Sequence, residues 1–428
     1  MGMLDTFGCK MKGTDINDSV SLQRFTMAVR RSLENVPEKY ECDVVIVGAG
    51  PAGSTAARFA SESGLRTILI EKKAEIGSPL RCAEGISKKW LSRVNIVPDR
   101  KWICTDIMGM RIRTSSGSTF VSDERGDDGT GRGYVLDRHL FDKMLAEKAA
   151  AAGARIMMRT SCRSVIKEKG KTIGIKADRM GSRVEIYARC IIAADGFESQ
   201  VARWAGLDTT LPDRDIDTCV QYRMANIAVD KEYCEFIAGS CAPGGYIWIF
   251  PKGEGIANVG IGIQASKASA GDPKKYLDEY ISKDERLKNG QILEVAGGAV
   301  STVPGAKRVV ADNLILVGDA ARFINPVTGG GIHEACVSGM LASRVLKKCM
   351  DANDLSESAL KEYETLWREE VQERFDRNYR IKNWFSETSD ETLERVVNIL
   401  NEAGLRKLKM DDVLRTIMEK DPSLMSMF

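Results

Sequence analysis

At 428 residues the chain exceeds one typical domain, and its 43% hydrophobic content is enough for a sizeable core in two or three lobes. With 62 Lys and Arg against 60 Asp and Glu, its formal charge of +2 gives no footing to nucleic acid, and no apolar run is long enough to span a bilayer. The 11 cysteines contain no CxxC pair and match neither a disulfide framework nor a zinc or iron–sulfur set, while two histidines, His139 and His333, nearly exclude histidine triads and histidine metal sites. No metal is expected, and a reducing cytoplasm is the compartment this cysteine usage implies.

Residues 1–40 precede the first strand as an extension without a secretory h-region. Leu22, Phe25, Val29 and Leu33 share one helical face beside arginines, a pattern that either packs on the body or docks on a membrane surface. Met1–Thr6 also fits the short myristoylation pattern formally. The run Val44-Val45-Ile46-Val47-Gly48-Ala49-Gly50-Pro51-Ala52-Gly53 then reads as a strand, a glycine-rich turn and a helix from Ser54 to Ser63. Gly48 serves the tight turn, Gly50 lets a pyrophosphate approach the backbone, and Gly53 lets the helix pack against the strand. The strand Thr67–Ile70 ends at Glu71, about 20 residues on, where an acid holds adenosine ribose hydroxyls and disfavours a 2′-phosphate. These features together predict a dinucleotide site.

In the loop Ile76–Gly85, Cys82 beside Arg81 is either a reactive thiol or a small residue packed against the cofactor. Residues 102–121 alternate around Ser115-Ser116-Gly117 and predict a β-hairpin. A helix is expected from Leu140 to Ala152, with Arg138 at its mouth holding either a phosphate or ribityl oxygen, or a surface salt bridge. Strands follow at Ala154–Met158, Thr172–Ala177 and Val184–Ala188, and a further buried strand, Cys190–Ala193, ends at Asp195-Gly196.

From Asp215 to Ile263 the pattern is antiparallel, and alternation puts Tyr246, Trp248 and Phe250 on one face, as core or as a substrate wall. Asn313–Ala321 repeats the strand-to-glycine pattern, and Gly329-Gly330-Gly331-Ile332 opens a helix to about Met350. This second site separates FAD from NAD: the longer FAD needs an acid, here Asp319, for its ribityl chain, and the helix at Gly331 aims its positive end at the flavin pyrimidine ring. Residues 356–428 are charged and helical, with Thr388-Ser389-Asp390-Glu391 starting a helix.

Gly48–Gly53, Asp195-Gly196 and Gly318-Asp319-Ala320 together resemble the three fingerprints of the flavoprotein class that contains aromatic hydroxylases. Pro79–Gly85, Tyr246-x-Trp248-x-Phe250-Pro251 and Gly260-x-Gly262 narrow the resemblance to the geranylgeranyl reductase family, most like its archaeal digeranylgeranylglycerophospholipid reductases, over about residues 42 to 420. The fold class implied is α/β: a Rossmann-like FAD-binding domain (41–90, 131–205 and 300–350) with an inserted antiparallel β-sheet substrate domain (91–130 and 206–299) and a C-terminal helical lobe (351–428). Beyond the turn glycines, the resemblance implies that Ala52, Glu71, Arg138, Cys162 and Asp319 contact FAD. It implies the same for Cys82, Ala83, Gly85, Gly331 and Ile332, and places the cysteine loop and Tyr246, Trp248 and Phe250 around the substrate.

The activity implied is saturation of geranylgeranyl C=C bonds in membrane-lipid precursors. An unactivated trisubstituted alkene has no carbonyl to polarise, so protonation toward the tertiary cation paired with hydride from flavin N5 is the expected order. Cys82 or Tyr246 is the candidate acid, with Trp248 counted beside them as catalytic. The rivals are a flavin monooxygenase and a non-enzymatic prenyl carrier like the GDP-dissociation inhibitors; an electron-transfer flavoprotein–quinone oxidoreductase is disfavoured by the lack of a C-terminal cysteine cluster. The electron donor is NAD(P)H or reduced ferredoxin. The expected protein is a cytoplasmic monomer in peripheral contact with the membrane, docking through Leu22–Leu33 and through exposed Trp384 and Phe385.

Overall fold

In the computed structural model, residues 37–126, 129–407 and 410–427 are described; the Leu22–Leu33 helix and the Met1–Thr6 pattern lie outside them. Strand β1 (Glu38–Val47) starts among charged residues and ends in Val44–Val47, buried on both faces as a central parallel strand requires. Helix α1 (Pro51–Glu62) begins with proline in its first turn, where no N–H is missed, and β2 (Thr67–Ile70) returns parallel to β1.

The chain then builds β3 (Gly85–Ser87), β4 (Ile103–Ile107), β5 (Gly109–Thr114), β6 (Thr119–Asp123) and β7 (Gly133–Leu136). The expected hairpin over 102–121 is therefore confined to β5 and β6, whereas β4 belongs to a separate small sheet ordered β3-β7-β4. The alternation runs unbroken through Gly109, so it hides the change of sheet. A Cβ at Gly109 would lie 2.0 Å from the Ser122 carbonyl oxygen, so only glycine passes there.

Helix α2 (Arg138–Ala151) is capped by the Asp137 side chain and leads to β8 (Arg155–Met157), β9 (Thr160–Glu168), β10 (Lys171–Arg179) and β11 (Ser182–Ala193). Strand β9 was not anticipated. The segments expected at 184–188 and 190–193 form one 12-residue strand, because β11 pairs with β10 through its first half and with β1 along nearly its whole length. The large sheet runs β17-β18-β11-β1-β2-β8, where β17 (Val310–Ala311) and β18 (Leu314–Leu316) follow later in the chain.

Between them lie α3 (Val201–Ala205), β12 (Ile216–Ala225), β13 (Tyr233–Ala238), β14 (Tyr246–Gly253), β15 (Ile256–Gln264), α4 (Asp272–Lys283) and β16 (Gln291–Ser301). These strands join the hairpin in a seven-stranded sheet, β16-β12-β15-β14-β13-β5-β6, antiparallel except where β13 meets β5 in parallel. One face packs Tyr222, Ile247, Ile249, Val259 and Ile261 into a second core that includes Leu277 of α4.

Helix α5 (Ile332–Asp351) lies on α1 so closely that a Cβ at Gly339 would sit 2.4 Å from the Ala52 carbonyl oxygen. Helix α6 (Glu357–Glu387) spans 31 residues: Leu360, Tyr363, Trp367, Val371 and Phe375 enter the core of the large sheet, and its last turns reach the turn that leads into β12. Trp384 and Phe385, expected to be exposed, are half-buried, because this end of the helix packs down instead of standing in solvent. Ser389 caps α7 (Asp390–Glu402), whose Val397 and Leu400 meet Phe120 of β6 and Val413 and Ile417 of α8 (Met410–Lys420).

Candidate active site

The first turn is shaped by contacts that leave no room for side chains. Gly48 has φ +104°, and a Cβ there would lie 2.4 Å from the Ala194 carbonyl oxygen; one at Gly53 would lie 1.8 Å from the Gly48 oxygen. At Gly50 the corresponding space is open, with nothing within 4 Å, and no side chain caps α1. A phosphate entering there meets backbone N–H groups and the positive helix end. Glu71 is buried: one carboxylate oxygen accepts from the Ala49 N–H and the other from the Lys73 N–H, both at 2.9 Å. Asp195 accepts from the Gln200 and Val201 N–H groups at 2.8 and 3.1 Å, so the strand-end Asp-Gly turn holds the start of α3. Cys162 lies near it on β9; burial, with Asp195 adding to it, pushes its thiol up to about 12, which keeps it neutral.

The second glycine turn faces the first. Gly318 has φ +56°, and a Cβ there would stand 2.9 Å from the Ala52 Cβ. Burial raises the Asp319 carboxyl, with Arg138 and Arg322 opposing it, and its Oδ1 lies 3.5 Å from the place a Gly331 Cβ would take. Gly331 starts α5 without a side-chain cap, and Ile332 is its first buried residue. Arg138 turns out to make an interior ion pair, at 2.7 Å to Asp142 one turn along α2, instead of a surface one, and its guanidinium also acts on Cys82. Two uncapped helix N-termini, an open glycine cradle and a half-buried carboxyl with cations near it fit a long, anionic dinucleotide such as FAD.

The cysteine loop is tied to the seven-stranded sheet by side chains that sequence reasoning missed. The Cys82 carbonyl accepts from Gln221 Nε2, and Gln221 Oε1 accepts from Trp248 Nε1, both at 2.9 Å. Asn258 Nδ2 donates to the Ala83 carbonyl at 3.3 Å and to Glu84 Oε2 at 2.6 Å. Glu84, at φ +75°, accepts the Arg138 N–H with its other oxygen and pairs with Lys252 at 2.5 Å, both side chains almost wholly buried. Lys252 also donates to the Leu136 carbonyl at 2.7 Å. Glu84, Lys252 and Asn258 lie in or beside a motif stretch and Gln221 in none, and no spacing in the chain announces that they meet.

Register explains the glycines of β15. Cys219, Gly262 and Tyr246 lie side by side across β12, β15 and β14, as do Gln221, Gly260 and Trp248, and then Arg223, Asn258 and Phe250. A Cβ at Gly260 would lie 2.3 Å from the Trp248 ring, so the glycine lets the indole reach over to Gln221. Tyr246, Trp248 and Phe250 share one face, with Phe236 packed edge-on to Tyr246 at 5.5 Å and to Phe250 at 5.4 Å. The Phe250 ring sits 2.6 Å from where a Gly85 Cβ would project, and the Tyr246 hydroxyl donates to the Thr328 carbonyl at 2.5 Å, just ahead of α5. The aromatic face thus spans from the cysteine loop to the second glycine turn. Burial pushes the Tyr246 phenol well up.

The family described as geranylgeranyl reductase catalytic domain matches residues 215–300, and an FAD binding domain family matches residues 43–110. The digeranylgeranylglycerophospholipid reductase of Thermoplasma volcanium is 44% identical over 384 residues, 89% of this chain and 97% of its own length. That of Methanothrix thermoacetophila is 42% identical, over 90% of this chain and 97% of its own. The crystal structure of a geranylgeranyl bacteriochlorophyll reductase-like protein from Thermoplasma acidophilum superposes with a TM-score of 0.87 at 42% identity, covering 91% of this chain and all of that one. A p-nitrophenol 4-monooxygenase from Pseudomonas putida, at 19% identity and a TM-score of 0.69 over 90% of this chain and 98% of its own, shares the fold alone.

Proposed function

This chain belongs to the digeranylgeranylglycerophospholipid reductases, FAD-dependent oxidoreductases that saturate C=C bonds of geranylgeranyl chains in membrane-lipid precursors, and we propose how its residues divide that work. Gly48, Gly50, Ala52, Gly53 and the end of α1 take the pyrophosphate, and Glu71 the ribose. Asp319 takes the ribityl chain, while Gly331 and Ile332 present the end of α5 to the pyrimidine ring. Arg138, Cys162, Ala83, Gly85 and Cys82 complete the FAD contacts. When bound, FAD supplies the hydride.

The chain's own residues orient the alkene and keep water from it. Tyr246, Trp248 and Phe250 form the wall along which the isoprenoid lies, and Cys82 faces it from the loop. The observation that carries this reading is Gln221, which holds the Cys82 carbonyl and the Trp248 indole at once and so fixes the loop against the wall. A proton is needed for each bond saturated, and Cys82 on the loop and Tyr246 on the wall are the expected proton-bearing groups.

Anaerobic incubation of the reduced protein with a digeranylgeranyl glycerophospholipid should raise the product mass by two hydrogens per bond. Product that forms only with oxygen would instead mark a monooxygenase, and a colourless preparation a carrier. Mixing the oxidised protein rapidly with NADPH or with reduced ferredoxin identifies the donor. Among the described residues no helix is long and apolar enough to cross a membrane, and the substrate lives in a bilayer. We therefore propose a cytoplasmic monomer that meets the membrane peripherally with help from residues 1–40. Deleting those residues should lower co-sedimentation with lipid vesicles; unchanged sedimentation and activity would remove that role.

A further inference from the structure

The wall carries an ionisable group that this division of labour leaves unused. Along β12, Asp217, Cys219 and Gln221 alternate onto the face that holds Trp248 and the Cys82 carbonyl. Asp217 stands opposite Gln264 of β15 and Val300 of β16, one row beyond the Cys219, Gly262 and Tyr246 row. The space above Gly262 is shared: a Cβ there would be 3.4 Å from Cys219 Sγ, 3.8 Å from Trp248 Cζ3 and 3.9 Å from Asp217 Cβ. Asp217 Oδ1 is buried there without a hydrogen-bond partner, which costs a carboxylate more than a protonated carboxyl.

The groups around it complete the setting. From α6, Lys382 donates to the Arg214 carbonyl at 2.5 Å and lies 3.9 Å from Asp215, which also accepts from the Tyr379 hydroxyl. Cys219 is on the same strand, Tyr246 faces from β14, and Lys267 lies beyond Lys382. Burial pushes the Asp217 carboxyl up to about 6, with Lys382 opposing that rise. The Cys219 thiol and Tyr246 phenol are pushed well up by burial, so each is a weaker acid than the carboxyl, and the phenol is already engaged by Thr328.

We propose that Asp217 donates the proton consumed in each saturation, a role that rests on the reductase reading above. The carboxyl O–H bond breaks as the alkene π pair forms a C–H bond at the less substituted carbon, leaving Asp217 as a carboxylate beside Lys382. The tertiary carbon takes the hydride of the established reaction, which completes a two-electron reduction, and water returns a proton to Asp217 between turnovers. A carboxyl on an aromatic wall meets the need of an unactivated alkene for an acid stronger than a thiol or phenol that still holds its proton up to about pH 6.

The test uses the holoenzyme carrying Asp217→Asn, with Asp217→Glu, Cys82→Ser and Tyr246→Phe for comparison, in single turnovers of dithionite-reduced protein with vesicle-embedded digeranylgeranyl phosphatidylglycerol. D217N should slow saturation about 100-fold or more while flavin content and dithionite reduction stay unchanged. The wild-type rate should fall as pH rises through about 6, because the acid form is lost, and this limb should vanish in D217N but persist in D217E, C82S and Y246F. Independently of turnover, the infrared carbonyl band of a protonated carboxyl titrating near pH 6 in substrate-free protein should disappear in D217N. A D217N protein that keeps both rate and pH limb overturns the proposal, as does a band that survives the substitution. Wild-type protein that leaves the lipid unsaturated fails the reductase reading itself, a distinguishable result.

Discussion

The nucleotide cradle and the aromatic wall are adjacent but built by opposite means. In the cradle the shape is set by backbone: Gly48, Gly53 and Gly318 stand where a Cβ would collide with neighbouring atoms, and Glu71 and Asp195 bond to N–H groups close to their own turns. In the wall it is set by side chains from distant segments, with Glu84, Lys252, Asn258, Gln221 and Trp248 joined across about 170 residues of chain. A backbone device is tolerant of loss of its ligand. A side-chain network that is buried and charged is not, because removing one member strands the others in a medium that solvates them poorly.

This contrast can be broken by substitution, and the largest effect should come from the buried pair. Lys252→Met leaves the Glu84 carboxylate without its cation and should cost about 3–5 kcal/mol in denaturant unfolding, with Glu84→Gln added to it restoring part of the loss. A cost below about 1 kcal/mol would mean that the network does not hold the wall. The next effect has the opposite sign. Asp217 is raised above its unfolded value, so the carboxyl disfavours folding once ionised: its contribution is intact below the unfolded pKa of about 4 and lost as pH rises through about 6. Asp217→Asn should therefore be more stable to denaturant than the wild type at pH 8, by about 3 kcal/mol, and nearly equal to it at pH 4. Equal curves at both pH values would show that the group titrates normally.

Gln221→Leu removes two hydrogen bonds but no charge, and about 1–2 kcal/mol is expected, with saturation impaired more than flavin retention because the loop loses its grip on the wall. Flavin loss in step with activity would assign Gln221 to the cradle instead. The smallest effect on folding, within about 0.5 kcal/mol, belongs to Gly50→Ala, since the added methyl meets no atom within 4 Å. Flavin occupancy should nonetheless fall, the methyl standing where the phosphate approaches; full occupancy measured by absorbance would place the pyrophosphate elsewhere.

How far each region could be read beforehand follows the same division. A β-branched run followed by glycines and, about 20 residues on, an acid is a local pattern, and the strand, turn and helix it predicts are the ones that form. The stripe of Tyr246, Trp248 and Phe250 was likewise readable from its period of two. Alternation does not say which strand is a neighbour, so it cannot separate β4 from the β5–β6 hairpin or reveal that β9 pairs with β10. Lys252 follows Pro251 as one charge among many in the chain, and Asp217 stands near the start of its strand. Neither position carries a mark of burial.

By itself the sequence determined the fold class, the family and the two glycine turns, since these depend on short-range geometry that recurs wherever the same residues stand at the same spacing. Tertiary structure decided that α6 is shared between the large sheet and the end of the wall, that Trp384 and Phe385 are half-buried, and that Glu84 meets Lys252 168 residues away. It also put Asp217 on the wall with one carboxyl oxygen out of water. The physical reason is that solvation and partnership are properties of the packed whole: a carboxyl has the same letter in the chain whether it faces solvent, a lysine or an alkene, and only the folded surroundings set its charge.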